Sequence, residues 1–264
     1  MVESKIIFLG TGGGRVVRAN QIAATGGFVV QLGEYQIHVD PGPGALVRAR
    51  QYGIKATKTN IVYVTHNHID HVSDLNAILD AITLGGIYKK GILISTPTVI
   101  SGSEKELAWL QPFYKEKLKD CITAKPGDAI SIGELKFTAT PTDHDVEENI
   151  GMKIDAPGIS IGYTSDTTFL PELAEAFKGV TVLIMNVLRP GKDHWKTHFC
   201  SEDAIKLINS IHPELAVIQH YGAKMLRSSP IYEAREIQRR TGVRTIAASD
   251  GTKIDLKGLS SIPQ

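Results

Sequence analysis

Residues 64–71 read VTHNHIDH and decide the fold. The apolar run before them, residues 60–64 (NIVYV), is typical of a buried β-strand. Three histidines and one aspartate then fall within six consecutive positions. A lone histidine is usually not a metal ligand, but four metal-binding side chains placed together give little structural benefit. The pattern therefore predicts a metal site at the end of a strand.

The spacing of these side chains indicates how many ions they serve. His66 and His68 alternate in an extended segment, so their side chains point the same way. Asp70 and His71 follow where the chain turns into a helix. Neutral imidazole and carboxylate suit Zn²⁺, Mn²⁺ or Fe. Four such groups exceed what one tetrahedral ion with an open position accepts, which predicts two neighbouring ions.

Three more potential metal ligands each follow a predicted strand. They are His144 after LKFTATPTD, Asp166 after GISIGYTS and His220 after LAVIQ. In α/β folds functional sites gather at strand ends, where loops converge. A carboxylate at such a point can bridge two cations, and two histidines can complete their coordination.

The pattern of elements predicts the architecture. Predicted strands are plentiful in both halves and helices punctuate each half, without repeats or long linkers. This favours an α/β sandwich of two packed sheets with helices outside, formed by a single domain over residues 1–264. Locally we expect a helix over residues 103–120 interrupted at Pro112, a helix capped by Ser201, and a closing strand pair within residues 243–256.

Composition narrows the class of protein. A formal net charge of +1 gives no global basic field of the kind that nucleic-acid-binding proteins often carry. The two cysteines, Cys121 and Cys200, are far apart and form no disulfide framework, which favours a reducing compartment. Without a secretory signal or an apolar stretch of about 20 residues, we expect a cytoplasmic protein that is not in a membrane.

The order of the candidate ligands resembles a known family. HxHxDH followed by His144, Asp166 and His220 is similar to the full ligand set of metallo-β-lactamase superfamily hydrolases, and residues 8–14 (FLGTGGG), 38–44 (HVDPGPG) and 248–256 (ASDGTKIDL) extend the resemblance. It implies an αββα sandwich, two mixed sheets with helices on both outer faces and two divalent ions at one edge, zinc first, with Mn²⁺ or Fe as alternatives. It also implies the ligand sets: His66, His68 and His144 for one ion, Asp70, His71 and His220 for the other, and Asp166 as the bridge.

Two segments resemble one branch of that superfamily, the tRNase Z and PhnP-like phosphodiesterases. They are residues 144–167 (HDVEENIGMKIDAPGISIGYTSDT) and 197–208 (THFCSEDAIKLI). The resemblance implies that His198 is a general acid or a donor to a phosphoryl oxygen, and that Asp70 orients the attacking water as well as binding metal. The alternative for His198 is a surface loop histidine.

The substrate class is inferred from the length of one interval between the candidate ligands. The interval from His144 to Asp166 has no room for the long tRNA-gripping arm that tRNase Z enzymes commonly carry. A small or nucleotide-type phosphodiester is therefore favoured, with RNA processing and the hydrolysis of a lactone, thioester or β-lactam kept as alternatives. A di-iron redox centre and a non-catalytic metal scaffold fit less well. A homodimer is common in the resembled branch.

Basic loops give independent support for a phosphate substrate. The alternative is that these basic side chains are ordinary solvated loop residues. The acidic segment DHDVEEN also argues against a phosphate substrate. The glycine-rich GTGGGR matches neither a dinucleotide fingerprint nor a P-loop and is interpreted as a backbone turn. Asp40 is expected to order the metal loops, and Cys200 to be a small buried residue. The basic side chains are Arg15, Arg18, Arg189, Lys192, His194, Lys196, Lys224 and Arg227.

Overall fold

The computed structural model describes residues 4–259. Its strands are β1 Lys5–Phe8, β2 Phe28–Leu32, β3 Tyr35–Val39, β4 Ile61–Val64, β5 Ile92–Ser95, β6 Asp120–Thr123, β7 Ala129–Ile132, β8 Leu135–Thr140, β9 Gly151–Ala156, β10 Ile159–Tyr163, β11 Val182–Arg189, β12 Phe199–Cys200, β13 Leu215–Gln219, β14 Arg244–Ala247 and β15 Lys253–Asp255. Its helices are α1 Gly14–Asn20, α2 Ala45–Gln51, α3 Ile69–Val72, α4 Leu75–Thr83, α5 Pro97–Ser101, α6 Pro112–Lys117, α7 Leu173–Ala176, α8 Ser201–Ile211, α9 Ala223–Ser228 and α10 Pro230–Thr241.

The strands form two mixed sheets. The first has the order β15-β1-β2-β3-β4-β5-β6, and the second has the order β14-β13-β11-β10-β9-β8-β7, with β12 beside β11. In the first sheet β3 to β6 run parallel, and in the second the parallel strands are β10, β11, β13 and β14. The remaining neighbours are antiparallel hairpins and edges.

The main apolar core lies between the sheets and takes side chains from both, including Phe8 and Phe28 of the first and Phe137 and Tyr163 of the second. The ring of Phe28 meets that of Tyr163 edge to face at 5.0 Å. Two further clusters lie under helices, one between α4 and the first sheet and one between α8 and the second. Helices thus cover both outer faces, which confirms the predicted αββα sandwich.

The outer helices follow their apolar spacing. Leu75, Ile78, Leu79 and Ile82 are all buried on α4, as an i, i+3, i+4, i+7 stripe requires. The helix ends where Leu84 and Gly85 adopt positive φ angles, as the glycine pair predicted.

The predicted helix over residues 103–120 is wrong in its first half. Only Pro112–Lys117 is helical, and Pro112 begins the helix instead of interrupting it. Proline fits the first turn and forces the residue before it out of the helical region, and Gln111 is accordingly extended at ψ 138°. The sequence analysis also missed β6, an edge strand with exposed Asp120 and Thr123 that shows no apolar run.

Two more local predictions need correction. β14 and β15 do not pair with each other: β14 joins β13 in the second sheet, and β15 joins β1 in the first. Ser201 is the first helical residue of α8, and Cys200 takes the cap position, where the Asp203 carboxylate accepts from its backbone N–H at 3.2 Å. With Cys200 as the cap, Asp203 is the third residue of the helix, the position from which a carboxylate reaches back to the cap.

The single domain over residues 1–264 stays a prediction, and residues 1–3 and 260–264 of it lie outside the described part of the chain. Across residues 4–259, none of the helices has the length and apolar character needed to cross a lipid bilayer.

Candidate metal centre

The candidate ligands meet because their strands end at one edge of the sandwich. β8, β10, β11 and β13 run in the same direction within the second sheet. Their carboxyl ends lead into the loops of the second half, and the end of β4 in the facing sheet leads into α3. Those loops hold His144, Asp166, His198 and His220, while α3 and the turn before it hold His66, His68, Asp70 and His71.

Asp166 lies at the centre of the cluster. Its side chain is 2% exposed, and its Oδ1 accepts from Asn186 Nδ2 at 2.6 Å. The other oxygen, Oδ2, faces the Nε2 atoms of five histidines. The distances from Oδ2 are 4.0 Å to His66, 3.4 Å to His71, 3.7 Å to His144, 3.3 Å to His198 and 3.4 Å to His220.

One group of donor atoms comprises His66, His68, His144 and Asp166. Nε2 of His66 lies 3.1 Å from Nδ1 of His68, and Nε2 of His144 lies 3.0 Å from the same Nδ1. The structure thus brings together the first predicted ligand set with the predicted bridge.

The second predicted set, Asp70, His71 and His220, also converges. The Nε2 atoms of His71 and His220 are 3.2 Å apart, and Asp70 Oδ2 lies 3.5 Å from His220 Nε2. Asp70 Oδ1 accepts from Arg18 Nη1 at 3.0 Å. His220 has a left-handed φ of 62°, so the backbone at this candidate ligand is strained.

The environment sets the protonation of these groups. Burial holds the pKa of His66 well below its usual value and lowers that of His68 to about 4, with neighbouring imidazoles adding to both effects. Burial also lowers the pKa of His144. Neutral imidazole is the form that binds metal. Burial acts against the charged form of His71 too, but Asp166 and Asp40 outweigh it and raise the pKa of His71.

The donor set fits divalent cations. Metal-binding histidines usually donate their second ring nitrogen to a protein acceptor. His66 Nδ1 lies 2.9 Å from Thr65 Oγ1, His71 Nδ1 lies 2.9 Å from Asp40 Oδ2, and His144 Nδ1 lies 3.0 Å from the Thr197 carbonyl. Their Nε2 atoms are left pointing at one another, an arrangement that a shared cation stabilises.

Asp40 organises this centre from outside, as expected. It is 2% exposed and its Oδ2 accepts from Thr65 Oγ1 and the Tyr163 hydroxyl, each at 2.9 Å, besides meeting His71 Nδ1. Its Oδ1 accepts from the Thr65 backbone N–H at 2.8 Å. One carboxylate thereby ties the turn after β4 to the end of β10.

His198 lies in the centre and not on an outlying surface loop. Its side chain is 12% exposed, and its ring stacks on that of His220 with centroids 5.8 Å apart. The ring also meets His144 edge to face at 4.8 Å. His198 therefore stands between the cluster and the solvent.

A cavity of about 630 Å³ opens onto this cluster. His68, Asp70, Asp166, His198 and His220 line its floor. Five of the basic side chains singled out in the sequence line its wall, whereas Lys192, His194 and Lys196 do not. The five are Arg15, Arg18, Arg189, Lys224 and Arg227.

The sequence analysis missed two side chains of this site. Trp195 lines the cavity with its ring 53% exposed, 4.6 Å from the Arg189 guanidinium. The signal was an aromatic residue within the basic segment before His198. Asn186, which holds Asp166, gave no signal because a single asparagine in an apolar strand has no characteristic spacing.

Comparison with known proteins agrees with this architecture. The family described as "Beta-lactamase superfamily domain" matches residues 35–221. The Methanocaldococcus jannaschii protein named "Uncharacterized protein MJ1374" is 40% identical over 254 residues, which are 96% of this chain and 95% of that protein. A Ribonuclease Z of Methanopyrus kandleri is 27% identical over 153 residues, 58% of this chain and 50% of that enzyme.

A solved structure shows the same fold. The metallo-β-lactamase fold protein YhfI from Bacillus subtilis superposes with a TM-score of 0.79 at 20% identity, covering 97% of this chain and all of YhfI. The family match spans well over half of the chain, and one relative is 40% identical over nearly the full length of both proteins. The chain therefore belongs to the metallo-β-lactamase superfamily of metallo-hydrolases.

Proposed function

We propose that this protein is a metal-dependent phosphodiesterase that hydrolyses a small or nucleotide-type phosphodiester. In the proposal His66, His68 and His144 hold one divalent ion, Asp70, His71 and His220 hold a second, and Asp166 bridges them. Zinc is the first candidate. The observation that carries the proposal is the convergence of five imidazole Nε2 atoms on Asp166 Oδ2, at the floor of a cavity with a basic wall.

The cavity wall favours a phosphate group over a neutral ester. Arg15 and Arg227 line it, and among residues 4–259 neither guanidinium group forms an ion pair or hydrogen bond. Arg189 and Lys224 are both held by Asp193, at 3.1 and 2.9 Å. Guanidinium groups bind phosphate oxygens in bidentate fashion, so the two free arginines suit a phosphate-bearing ligand.

The name of one relative adds support for a phosphodiester bond in the substrate. The Methanopyrus kandleri protein is named Ribonuclease Z, and the name describes an enzyme that acts on RNA. RNA is joined by phosphodiester bonds, so this name and the basic wall favour the same class of substrate. In this chain the turn between β9 and β10 is only two residues long. Residues 141–150 before β9 also leave little length for an RNA-binding arm, which keeps small phosphodiesters ahead of tRNA.

The residues of the chain have distinct roles in the proposed reaction. A pair of divalent ions, when bound, supplies a water nucleophile at neutral pH and neutralises charge on phosphoryl oxygens. In the proposal Asp70, which accepts from Arg18 at 3.0 Å, orients that water. His198 stands at the mouth of the cluster, where its imidazole donates a proton or a hydrogen bond to the leaving oxygen. Arg15 and Arg227 bind the phosphate-bearing remainder.

The test is a substrate panel measured on protein of known metal content. The panel contains a bis-aryl phosphate, linear, 2′,3′-cyclic and cyclic dinucleotides, a tRNA precursor, a lactone and a thioester. We expect turnover on a small phosphodiester, together with about two divalent ions per chain at the seven ligand positions named above. Turnover of the lactone or thioester alone overturns the proposal, and preferential cleavage of the tRNA precursor replaces it with an RNA-processing role.

The role of His198 has its own test. In His198→Ala we expect turnover of the phosphodiester to fall by about 10²–10⁴-fold while the metal content is retained. A substrate with a leaving group of low pKa should recover part of the loss, because it needs less protonation. Unchanged turnover removes His198 from the mechanism without affecting the metal assignment.

The remaining features of the proposal concern the whole protein: a single domain, a cytoplasmic location and a homodimer. Both cysteines are free, which supports a reducing compartment. Cell fractionation and light scattering of the purified protein test the location and the oligomeric state.

A further inference from the structure

A second cluster of metal-binding side chains lies outside the centre described above. It comprises His194, Cys200 and Asp203. His194 Nδ1 lies 3.4 Å from Cys200 Sγ and 3.2 Å from Asp203 Oδ2, and Cys200 Sγ lies 3.1 Å from the same Oδ2. Three chemically different donor atoms thus form a triangle with sides between 3.1 and 3.4 Å.

The triangle differs from a catalytic thiol site. In a thiol–imidazole–carboxylate relay, the sulfur and the carboxylate contact opposite ring nitrogens of the histidine. Here Cys200 Sγ and Asp203 Oδ2 both lie on Nδ1 of His194. Burial moreover raises the pKa of the Cys200 thiol to about 11, so the sulfur is not an activated nucleophile.

The triangle is a few tenths of an ångström smaller than the donor spacing of a tetrahedral zinc site, so small side-chain shifts would open it to the ion. With usual bond lengths of about 2.0 Å to nitrogen or oxygen and 2.3 Å to sulfur, a tetrahedral ion places such donors about 3.3–3.6 Å apart. Asp203 Oδ1 accepts from Lys206 Nζ at 3.3 Å, whereas Oδ2, which also accepts from the Cys200 backbone N–H at 3.2 Å, is the oxygen that faces the triangle. The His194 side chain is 57% exposed, so a water molecule has access as a fourth ligand.

We propose that His194, Cys200 and Asp203 form an additional metal site of the zinc class. It is separate from the main centre, which consists of His66, His68, Asp70, His71, His144, Asp166 and His220. Binding exchanges the thiol proton of Cys200 for the cation, with the proton released to solvent. A thiolate and a carboxylate neutralise a divalent ion, and the imidazole completes a set of mixed ligands typical of zinc.

The position of this site gives it a structural role. His194 belongs to the segment between β11 and β12, Cys200 ends β12 as the cap of α8, and Asp203 lies in the first turn of α8. The same segment presents Trp195 to the cavity and leads directly into His198. A bound ion would fasten this segment to α8 and hold both side chains in place over the cavity.

Substitution with cobalt(II) tests the site by a signal that the main centre cannot give. None of the seven side chains assigned to that centre carries sulfur, so a thiolate-to-cobalt charge-transfer band in the near ultraviolet reports only on a cysteine ligand. We expect this band in the cobalt-loaded protein. Cys200→Ser should abolish it and lower the bound metal by one equivalent, while Cys121→Ser, the matched control at the other cysteine, should leave both unchanged.

A second variant separates loss of a ligand from loss of folding. His194→Ala alters a largely exposed side chain, so the fold should persist while the cobalt band is lost or strongly weakened. Absence of the band from the cobalt-loaded wild-type protein, or its survival in Cys200→Ser, overturns the site and leaves Cys200 and Asp203 as a helix cap only. Because the band is measured without substrate, failure of this site and failure of the phosphodiesterase proposal are distinguishable.

Discussion

Gly13 provides the space that the ring of His220 occupies. A Cβ atom at Gly13 would overlap the imidazole at Nδ1, and Nδ1 is itself a buried atom without a hydrogen-bond partner among residues 4–259. The backbone of Gly13 is extended at φ −145°, so alanine is not excluded by backbone conformation. Crowding of this one ligand is therefore the main expected effect of adding a methyl group.

The first prediction concerns Gly13→Ala. We expect the variant to remain folded but to push His220 away from His71, so that the metal content falls from about two ions to about one at the main centre. Elemental analysis after exhaustive dialysis measures this. Gly14→Ala is the control: its φ of 72° should cost about 1 kcal/mol of stability, but its Cβ would approach only the Leu188 side chain, at 3.2 Å, and leave His220 in place. Full metal content in Gly13→Ala would contradict the placement of His220 as a ligand.

The second prediction for a single residue concerns His38. This side chain is buried, with 1% of its surface exposed, and its Nε2 atom lies 3.3 Å from the Gly26 carbonyl oxygen. Burial lowers the pKa of His38 from 6.5 to about 4. Between these values the unfolded chain binds a proton that the folded protein does not. The stability from a neutral His38 is therefore complete above about pH 6.5 and is lost as the pH falls towards 4.

His38→Gln keeps an N–H donor for Gly26 but cannot titrate. Between about pH 6.5 and pH 4, its free energy of unfolding should fall less steeply than that of the wild type, by up to about 1.4 kcal/mol per pH unit. Urea unfolding at several pH values measures the two slopes. Contributions of the other histidines are common to both proteins, so parallel curves would mean that His38 titrates normally in the fold.

At the scale of elements, the turn between β3 and α2 fixes where α3 begins. A Cβ at Gly42 would overlap the backbone carbonyls of Asp70 and Thr25, so this turn lies in direct contact with the start of the ligand-bearing helix. Asp74 N–H also donates to the Pro41 carbonyl at 2.9 Å. The PGPG sequence thus sets the distance between two loops of the site.

The third prediction is that Gly42→Ala destabilises the protein by about 3 kcal/mol or more, because backbone atoms must move apart. Gly44→Ala in the same turn is the matched control. It has open space around its Cβ and a φ of 83°, so it should cost only about 1 kcal/mol. Urea unfolding compares the two, and equal losses would show that the turn is not tightly packed against α3.

The same scale shows which elements the sequence could predict. The strand β4, which precedes the histidine cluster, and the helix α4 were predictable because an apolar run or stripe must be buried. The edge strand β6 was not, since it pairs on one side only and has exposed side chains. The separation of β14 from β15 was also hidden, because pairing across the sandwich depends on contacts between distant parts of the chain.

For the molecule as a whole, the main centre was predictable for a physical reason. Each candidate ligand stands just beyond a strand, and strands that run in one direction bring their ends to one edge. His194, Cys200 and Asp203 were not grouped by the sequence analysis. Their convergence depends on the path of the segment between β11 and β12, which no periodic pattern specifies.

The charge balance of the whole centre leads to the last prediction, which concerns metal removal. Asp40, Asp70 and Asp166 are all buried there; Arg18 pairs with Asp70 only, and His71 is the imidazole that contacts both Asp40 and Asp166. Buried carboxylates without matching positive charge are costly, and divalent ions supply that charge. Binding at about a thousandfold excess over Kd stabilises the fold by about 4 kcal/mol per site.

With two ions removed, a strong chelator should therefore lower the melting temperature by about 20 °C and abolish turnover, and added zinc should restore both. Differential scanning calorimetry follows the melting, with elemental analysis to prove that the ions have left. In His66→Gln, which has lost one donor, the shift on chelation should be clearly smaller. If metal-free and metal-loaded wild-type protein melt at the same temperature, the buried carboxylates are stabilised by the protein alone and the assignment of the centre fails.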